Sequence, residues 1–339
     1  MLNRIGSLLG VVAVCVCAVT ASADVVIDTV TVGNLGNAGE LSGGGAYGPE
    51  RICGAVDYTY NIGKYAVTAG QYTEFLNAVA ATDTYDLYIT SMWSNEYGCK
   101  IQRAGSQGSY TYSVAADWAD RPVNYVCYWD ACRFANWMHN GQPTGAQGPG
   151  TTETGAYTLN GYQGSDGREI QRNADWQWAI TSEDEWYKAA FHKNDGVTGN
   201  YWDYPMGSDA LPDNGLPGGD TGNSANFYSD IYGYAIGAPY WRTPGGYFSL
   251  SDSPYGTFDQ GGNVWEWNES VVREDVDWAY RGTRGAHAWG QQYPMHALYR
   301  YDNSPAFQDY TFGFRLSAVP EPTSILILAL GALGILRRR

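Results

Sequence analysis

Residues 255–267 (YGTFDQGGNVWEW) form the stretch of the sequence whose residue types most clearly suggest chemistry. Asp259 and Glu266 supply hard carboxylate oxygens on either side of Gly261 and Gly262, and the two glycines permit a tight backbone turn between them. Oxygens arranged around such a turn can bind a hard cation. The alternative is a packed turn in which the Glu266 carboxylate only accepts hydrogen bonds from backbone amides.

The other potentially reactive residues do not form a known catalytic motif. The sequence has no His-Glu-x-x-His, no Gly-x-Ser-x-Gly and no phosphate-binding loop. His287, Met295 and His296 are residue types that can bind copper, but they lack a paired spacing and we interpret them as ordinary loop residues. The acidic run at 183–185 is interpreted as the start of a helix, where carboxylates interact favourably with the helix dipole.

Three helices are predicted to carry and connect these segments. Thr68 can cap the first helix, whose apolar residues recur at helical spacing. Ser182 and Glu185 match a capping box at the start of another. The predicted helices cover residues 71–81, 129–139 and 182–191. Before them, the chain from Asp24 opens with the alternating pattern of a strand.

The composition predicts a folded chain with a large core and long loops. Of its 339 residues, 44% are hydrophobic and only 16% are charged, which excludes a disordered protein. The 20 basic residues are outnumbered by 35 acidic ones, so we exclude nucleic-acid binding as a main activity. The 13 Trp, 28 Tyr and 43 Gly residues suggest rigid rings joined by turns. Long stretches with little periodicity cover residues 140–168, 194–224 and 228–256, and they need aromatic packing, disulfides or a bound cation to hold them.

Both ends of the chain look like targeting segments. Residues 1–23 combine Arg4, an apolar run and a small-residue cleavage site, as in a secretory signal peptide; the alternative is a buried N-terminal helix. At the other end, Pro-Glu-Pro (320–322) precedes an apolar stretch at 325–336 and three final arginines. This order resembles the PEP-CTERM sorting signal of Gram-negative bacteria.

That resemblance implies processing by an exosortase-type transpeptidase, which cleaves near Pro-Glu-Pro and releases or re-anchors the protein. The C-terminal segment would contact the membrane before processing. We therefore expect a protein at the cell surface, the outer membrane or the extracellular matrix. The alternative, an ordinary single-span anchor, predicts much the same location.

Cysteine usage is consistent with export. Four cysteines lie outside the signal peptide, and an even number in a secreted chain suggests two disulfides. The pairing is open, although the spacing of Cys127 and Cys132 argues against a bond between them. The alternative is four buried free thiols. The cysteines concerned are Cys53, Cys99, Cys127 and Cys132.

A set of motifs in a fixed order extends over the body of the chain. They are residues 63–75 (GKYAVTAGQYTEF), 122–126 (PVNYV), 129–131 (WDA), 181–186 (TSEDEW), 255–267, 281–283 (RGT) and 312–315 (FGFR). In this order they resemble the formylglycine-generating enzyme family, also called sulfatase-modifying factor. The resemblance implies one compact α+β domain at residues 50–318, distantly similar to C-type lectins and low in regular structure. Residues 24–49 would then be an N-terminal extension and residues 319–339 the sorting segment.

The resemblance also implies structural calcium sites. In the family, one site uses a side-chain oxygen, two backbone carbonyls and a carboxylate, a mixture that suits Ca²⁺. These ligands correspond to Asp259, Gly262, Val264 and Glu266. A second site begins at an Ala-Asn-aromatic step, which places Asn226 and the Phe227 carbonyl in it. The second half of that site has no clean match in residues 230–245.

The family's catalytic residues are missing. Formylglycine generation oxidises a substrate cysteine with O₂ and relies on two cysteines that bind copper(I), a soft ion that prefers sulfur. They lie between an Arg-Gly-Gly-Ser-Trp-like motif and Gly-Phe-Arg, and residues 281–315 of this chain contain no cysteine. Copper is therefore not expected. We predict a non-catalytic protein whose aromatic-rich cleft binds a glycan or a peptide; the alternative is a formylglycine-generating or related O₂-dependent oxidase.

Overall fold

The computed structural model describes residues 24–44 and 47–320. The predicted signal peptide and nearly all of the sorting segment lie outside the described residues. Within the described ranges, no helix is long and apolar enough to cross a membrane. The helices are α1 (Ala69–Val79), α2 (Ser91–Ser94), α3 (Ala116–Ala119), α4 (Tyr128–His139) and α5 (Glu183–Phe191), with a 3₁₀ turn at Tyr293–Met295.

Short strands make up most of the remaining regular structure, and they are linked by long irregular segments. The strands are β1 (Thr29–Val32), β2 (Glu40–Ser42), β3 (Arg51–Cys53), β4 (Tyr60–Gly63), β5 (Gln102–Ala104), β6 (Thr111–Ser113), β7 (Trp178–Ile180), β8 (Tyr228–Ser229), β9 (Gly233–Tyr234), β10 (Trp265–Asp275), β11 (Trp278–Arg284), β12 (Tyr301–Asn303), β13 (Phe312–Phe314) and β14 (Leu316–Ala318). This mixture of helices and short strands is the α+β architecture expected from the sequence.

Two four-stranded sheets organise the domain. The first has the order β1-β4-β14-β7 and is antiparallel throughout, so its strands come from both ends of the chain and from its middle. The second has the order β12-β11-β10-β13, in which β10 and β13 run parallel. Because β1 belongs to the first sheet, the N-terminal segment is part of the fold.

The three predicted helices are confirmed, with small changes at their ends. Thr68 caps α1 in a capping box with Gln71, and Ser182 caps α5 in the same way with Glu185. α4 is buried along nearly its whole length, because it packs between α1 and the first sheet. At the contact of α1 with α4, the ring centroids of Phe75 and Phe134 are 5.2 Å apart. Aromatic packing therefore supplies much of this core.

Buried polar side chains hold the long loop that follows α4. Asn136 Nδ2 donates to the carbonyls of Thr152 and Tyr157 at 2.7 and 3.0 Å. Arg133 and Glu153 are both buried and form an ion pair at 2.7 Å. These bonds satisfy backbone and charged groups that would otherwise be costly to bury, so the loop is held without regular secondary structure.

The prediction of two disulfides is wrong: all four cysteines are free and buried. Cys53 lies 3.5 Å from the Arg284 guanidinium, whereas the Cys99 sulfur contacts the Asn124 carbonyl at 3.9 Å. Each thiol has its own partners, and burial raises the pKa of Cys53 to about 11. An even number of cysteines in an exported chain does not show that their sulfurs can meet.

Candidate ligand-binding face

Loops that are distant in sequence bring a group of half-buried rings together. We call this group the aromatic face; its members are Tyr97, Tyr234, Trp241, Trp289 and Tyr310. The Tyr97 ring centroid lies 5.5 Å from Trp241, 5.3 Å from Trp289 and 4.9 Å from Tyr310. Tyr234 extends the group through Trp241, at 4.9 Å. The rings fix one another by edge and tilted contacts, so the face is preorganised.

Arg242 lies on the buried side of the aromatic face and contacts its residues. Its guanidinium is buried, donates to the Tyr97 carbonyl at 2.7 Å and lies 6.0 Å from the Trp289 ring. Its Nε and Nη2 have no hydrogen-bond partner among the described residues. Burial lowers the pKa of Arg242 to about 10, because the neighbouring groups supply little compensating charge. The buried side of the aromatic face therefore contains a cation whose hydrogen-bonding groups are only partly satisfied.

Polar side chains border the rings. Gln291 Nε2 donates to Asp230 at 2.5 Å, which joins the loop after β11 to the hairpin of β8 and β9. At the tip of that hairpin, Ile231 and Tyr232 are 81% and 53% exposed. The border thus offers oxygen and amide groups beside an apolar, aromatic surface.

The strand that leads into this loop is anchored by a buried ion-pair cluster. The Glu183 carboxylate, at the start of α5, contacts Arg284 at 2.7 Å, Arg300 at 3.3 Å and Arg51 at 3.0 Å. Burial alone would raise the pKa of Glu183, but the three guanidinium groups lower it to about 2. The acidic run at 183–185 therefore does more than favour a helix start. It joins α5 to β11 and to the segment before β12.

The three residues that could have bound copper have separate surroundings. His287 is half-buried against Trp265, with the ring centroids 6.0 Å apart, and desolvation lowers the pKa of His287 to about 4, so the ring is neutral. His296 instead lies 3.7 Å from Asp203. Met295 is packed in the core. Among residues 24–44 and 47–320, no group of three or more His, Cys, Asp or Glu is placed to hold a metal ion.

The residues of the two predicted calcium sites lie next to each other. Asn226 and Gly262 form a parallel bridge, and Asn263 N donates to the Asn226 carbonyl at 2.9 Å. Gly262 has a φ of +81°, and a Cβ there would collide with the Asn226 carbonyl oxygen. This position therefore requires glycine. Val264 follows in the same buried segment, directly before β10.

The carboxylates of the first predicted site already have protein partners. Glu266 receives two hydrogen bonds from Arg315, at 2.8 and 2.9 Å, and one from Trp186 Nε1 at 2.6 Å. Asp259 accepts from Gly246 N at 2.7 Å, and burial raises its pKa to about 6. Because Arg315 neutralises the Glu266 carboxylate, Glu266 in this arrangement does not fit a calcium ligand.

The second predicted site fits a cation better. Asn226 is buried, and its Oδ1 has no partner in the described part of the chain. Next to it, the only hydrogen bond to the Phe227 carbonyl from the described residues is a long one donated by Asn214 Nδ2, at 3.4 Å. The Oδ1 of Asn214 is also buried and without a described partner. Neutral amide and carbonyl oxygens of this kind are suitable ligands for Ca²⁺.

Comparison with known protein families shows which family the chain belongs to. The model of the sulfatase-modifying factor enzyme 1-like domain matches residues 38–318. The chain belongs to this family. A PEP-CTERM protein-sorting motif matches residues 318–339, which supports export and processing by exosortase-type sorting machinery in a Gram-negative bacterium. No curated protein is significantly similar to the chain.

The chain is similar to solved structures at low sequence identity, and the first of them shows the same fold. The structure of CarF is 18% identical, covers 87% of this chain and 99% of its own, and has a TM-score of 0.51. Treponema denticola variable protein 1 is 16% identical, covers 86% and 95% of the two chains, and has a TM-score of 0.48. PvdO from Pseudomonas aeruginosa is 18% identical, with 86% and 94% coverage and a TM-score of 0.45.

In this member of the sulfatase-modifying factor family, residues 281–315 contribute rings to the surface. In formylglycine-generating enzymes, the family resemblance implies copper-binding cysteines in this segment. In this chain the segment instead contains Trp289 and Tyr310 of the aromatic face. The sequence analysis missed the face, because its members follow no common periodicity. The only available signal was the abundance of Tyr and Trp in the glycine-rich loops.

Proposed function

We propose that this protein is a non-catalytic, exported member of the family that binds a glycan chain on its aromatic face. The observation that carries the proposal is the cluster of half-buried rings around Tyr97, on loops held by a buried arginine and an ion-pair cluster. Flat aromatic rings can stack on the apolar faces of sugars, and carboxylate and amide groups at the border can bind sugar hydroxyls.

The cysteine chemistry supports binding over oxidation. The family reaction needs accessible thiolates, whereas each thiol of this domain is buried. Desolvation raises the pKa of Cys127 and Cys132 far above the ordinary value, so both are protonated at neutral pH. Their burial in α4 and its N-terminal cap also places them within the core, away from a substrate peptide.

The test is glycan binding by the purified exported protein, measured with a glycan array and by titration calorimetry. Trp241→Ala and Trp289→Ala are each expected to weaken binding by about tenfold or more, since aromatic anchors dominate such contacts. Trp278→Ala is the matched control, because Trp278 is a half-buried tryptophan in contact with Tyr280, outside the aromatic face.

Equal loss of affinity in Trp278→Ala would contradict the assignment of the face. Binding of peptides but of no glycan would replace the proposed ligand class. Oxidation of a cysteine-containing sulfatase-type peptide, after loading with copper, would establish the enzymatic alternative.

We also propose a structural calcium ion at Asn226 and the Phe227 carbonyl, with Asn214 as a third ligand after a flip of its amide group, whose Nδ2 faces the Phe227 carbonyl in this structure. The unpartnered buried Oδ1 atoms of the two asparagines support this choice. Bound there, the ion would join Asn214 to residues 226 and 227. Asn226 already bridges Gly262, and its Nδ2 donates to the Trp241 carbonyl at 3.0 Å. Calcium would thereby stiffen one edge of the aromatic face.

A further inference from the structure

The domain ends without a spacer before the sorting motif. β14 lies inside the first sheet, between β4 and β7, and it is the last strand of the described chain. The next residue, Val319, still donates its backbone N–H to the Gln177 carbonyl at 3.0 Å. Pro320, the first residue of Pro-Glu-Pro, follows immediately. The sorting motif therefore starts at the surface of the folded domain.

A pocket of about 440 Å³ opens at this exit point. Its rim includes Tyr58 and Trp176 together with Val319 and Pro320 themselves. Tyr58 is 41% and Val319 38% exposed, so the rim is apolar and accessible. The start of the sorting motif is thus one wall of the pocket.

The floor of the pocket is polar, and its one guanidinium contacts two carboxylates. Arg172 pairs with Glu185 at 2.8 Å and with Glu269 at 2.9 Å. Its guanidinium also lies 4.3 Å from the centre of the Trp176 ring and supports it from one side. Tyr58 Oη donates to Glu185 at 2.7 Å. Because each of these charged groups already has hydrogen-bond partners in the protein and the rim is apolar, the pocket favours an uncharged apolar or aromatic side chain over an ion.

We propose that this pocket is an accessory docking site for the exosortase-type transpeptidase that processes the sorting motif. Residues 321 and 322 lie within about 7 Å of Pro320 along even a fully extended chain. An enzyme that holds Pro-Glu-Pro in its active site must therefore contact the surface around Pro320. The pocket accepts an apolar or aromatic side chain from the rim of that enzyme, and this contact adds to recognition of the short motif.

A membrane surface is the other possible occupant, because the apolar stretch begins at Ile325, at most about 18 Å of chain beyond Pro320. The concave shape and the paired floor favour a protruding protein side chain. This inference rests on the sorting motif alone and is independent of glycan binding at the aromatic face.

The test follows processing of the full-length precursor in the producing bacterium by pulse-chase and mass spectrometry. The double variant Tyr58→Ala/Trp176→Ala is expected to be processed at least about fivefold more slowly than the unsubstituted precursor. Trp176→Phe, which keeps an apolar ring over Arg172, should be close to the unsubstituted rate. Trp202→Ala is the matched control, because Trp202 is half-buried and has Lys193 3.7 Å from its ring centre. Melting temperatures of all variants identify any loss of folding.

A second precursor carries a flexible ten-residue Gly/Ser insert between Ala318 and Val319. The insert separates the motif from the pocket, so processing should slow, and Tyr58→Ala/Trp176→Ala should slow it no further. Unchanged processing of the folded double variant would overturn the proposal, as would an equal effect of the double variant with and without the insert. If the double variant loses binding to phosphatidylethanolamine/phosphatidylglycerol vesicles while detergent-solubilised enzyme processes it normally, the pocket contacts the membrane and the proposal fails.

Discussion

Neutralising Glu183 is expected to destabilise the domain strongly, because this carboxylate is the only acid that contacts both Arg284 and Arg300 in the described ion pairs. Both guanidinium groups are almost fully buried, and Glu183 itself has no exposed side-chain surface. Glu183→Gln keeps the size of the side chain but leaves the two buried cations without their counter-ion. The substitution therefore tests the link between α5 and the strand that leads to the aromatic face.

The pKa of Glu183 sets the size of the effect. It falls from its ordinary value of 4.5 to about 2, because the arginines outweigh the cost of burial. A depression of this size corresponds to about 3 kcal/mol of folding free energy at neutral pH. Since the folded-state pKa is the lower one, this contribution is complete above pH 4.5 and is lost as the pH falls from 4.5 towards 2. Removing one member of a buried ion pair costs a similar amount.

The assay is urea unfolding of the unsubstituted protein and Glu183→Gln at a series of pH values. At pH 7 the variant should be less stable by about 3 kcal/mol, and the difference should shrink as the pH falls below 4.5. Glu274→Gln is the control, since Glu274 pairs with Arg168 at the surface and is 55% exposed; it should change stability little. A loss below about 1 kcal/mol at pH 7, or a difference that stays constant down to pH 2.5, would refute the reasoning.

Three further predictions concern the cation site, the buried arginine and the thiols. EDTA should lower the melting temperature of the unsubstituted protein by several degrees, and Asn226→Ala should abolish this shift; no shift in the unsubstituted protein would rule out the calcium proposal. Arg242→Met should leave thermal stability unchanged or raise it, because it removes a buried charge with few partners. A loss of stability above about 2 kcal/mol would mean that the interactions of Arg242 outweigh the cost of burying its charge. All four cysteines outside the signal peptide should resist a thiol reagent in the native protein and react after unfolding without a reductant; fewer reactive thiols after unfolding would indicate a disulfide.

Local features of the chain were sufficient to predict its helices. Thr68 and Ser182 cap α1 and α5 through residues only three positions away, so the information lies within one helical turn. The ordered motifs likewise predicted the family, because each combines several residues over a short segment. The same local evidence described residues 183–185 as a helix start and could not reveal that Glu183 binds Arg284, 101 residues further along the chain.

Distances between remote segments account for what the sequence did not predict. The cysteine count suggested disulfides, but whether two sulfurs meet depends on the positions of their backbones, and in this fold all four thiols are free and buried. Similarly, the sequence offered Glu266 as a calcium ligand but could not show that Arg315 lies against its carboxylate. A residue type limits the possible partners of a side chain, and the fold selects one of them.

The sequence by itself therefore determined the helices, the acidic and aromatic character of the domain, its family and its sorting motif, because each is encoded in composition or in a few neighbouring residues. Only the tertiary structure decided that the five rings around Tyr97 form one aromatic face, and that the sorting motif begins at the wall of a pocket. Both features join loops that are far apart in the chain. Their positions follow from the packing of the whole core, and no short segment of the sequence encodes that packing by itself.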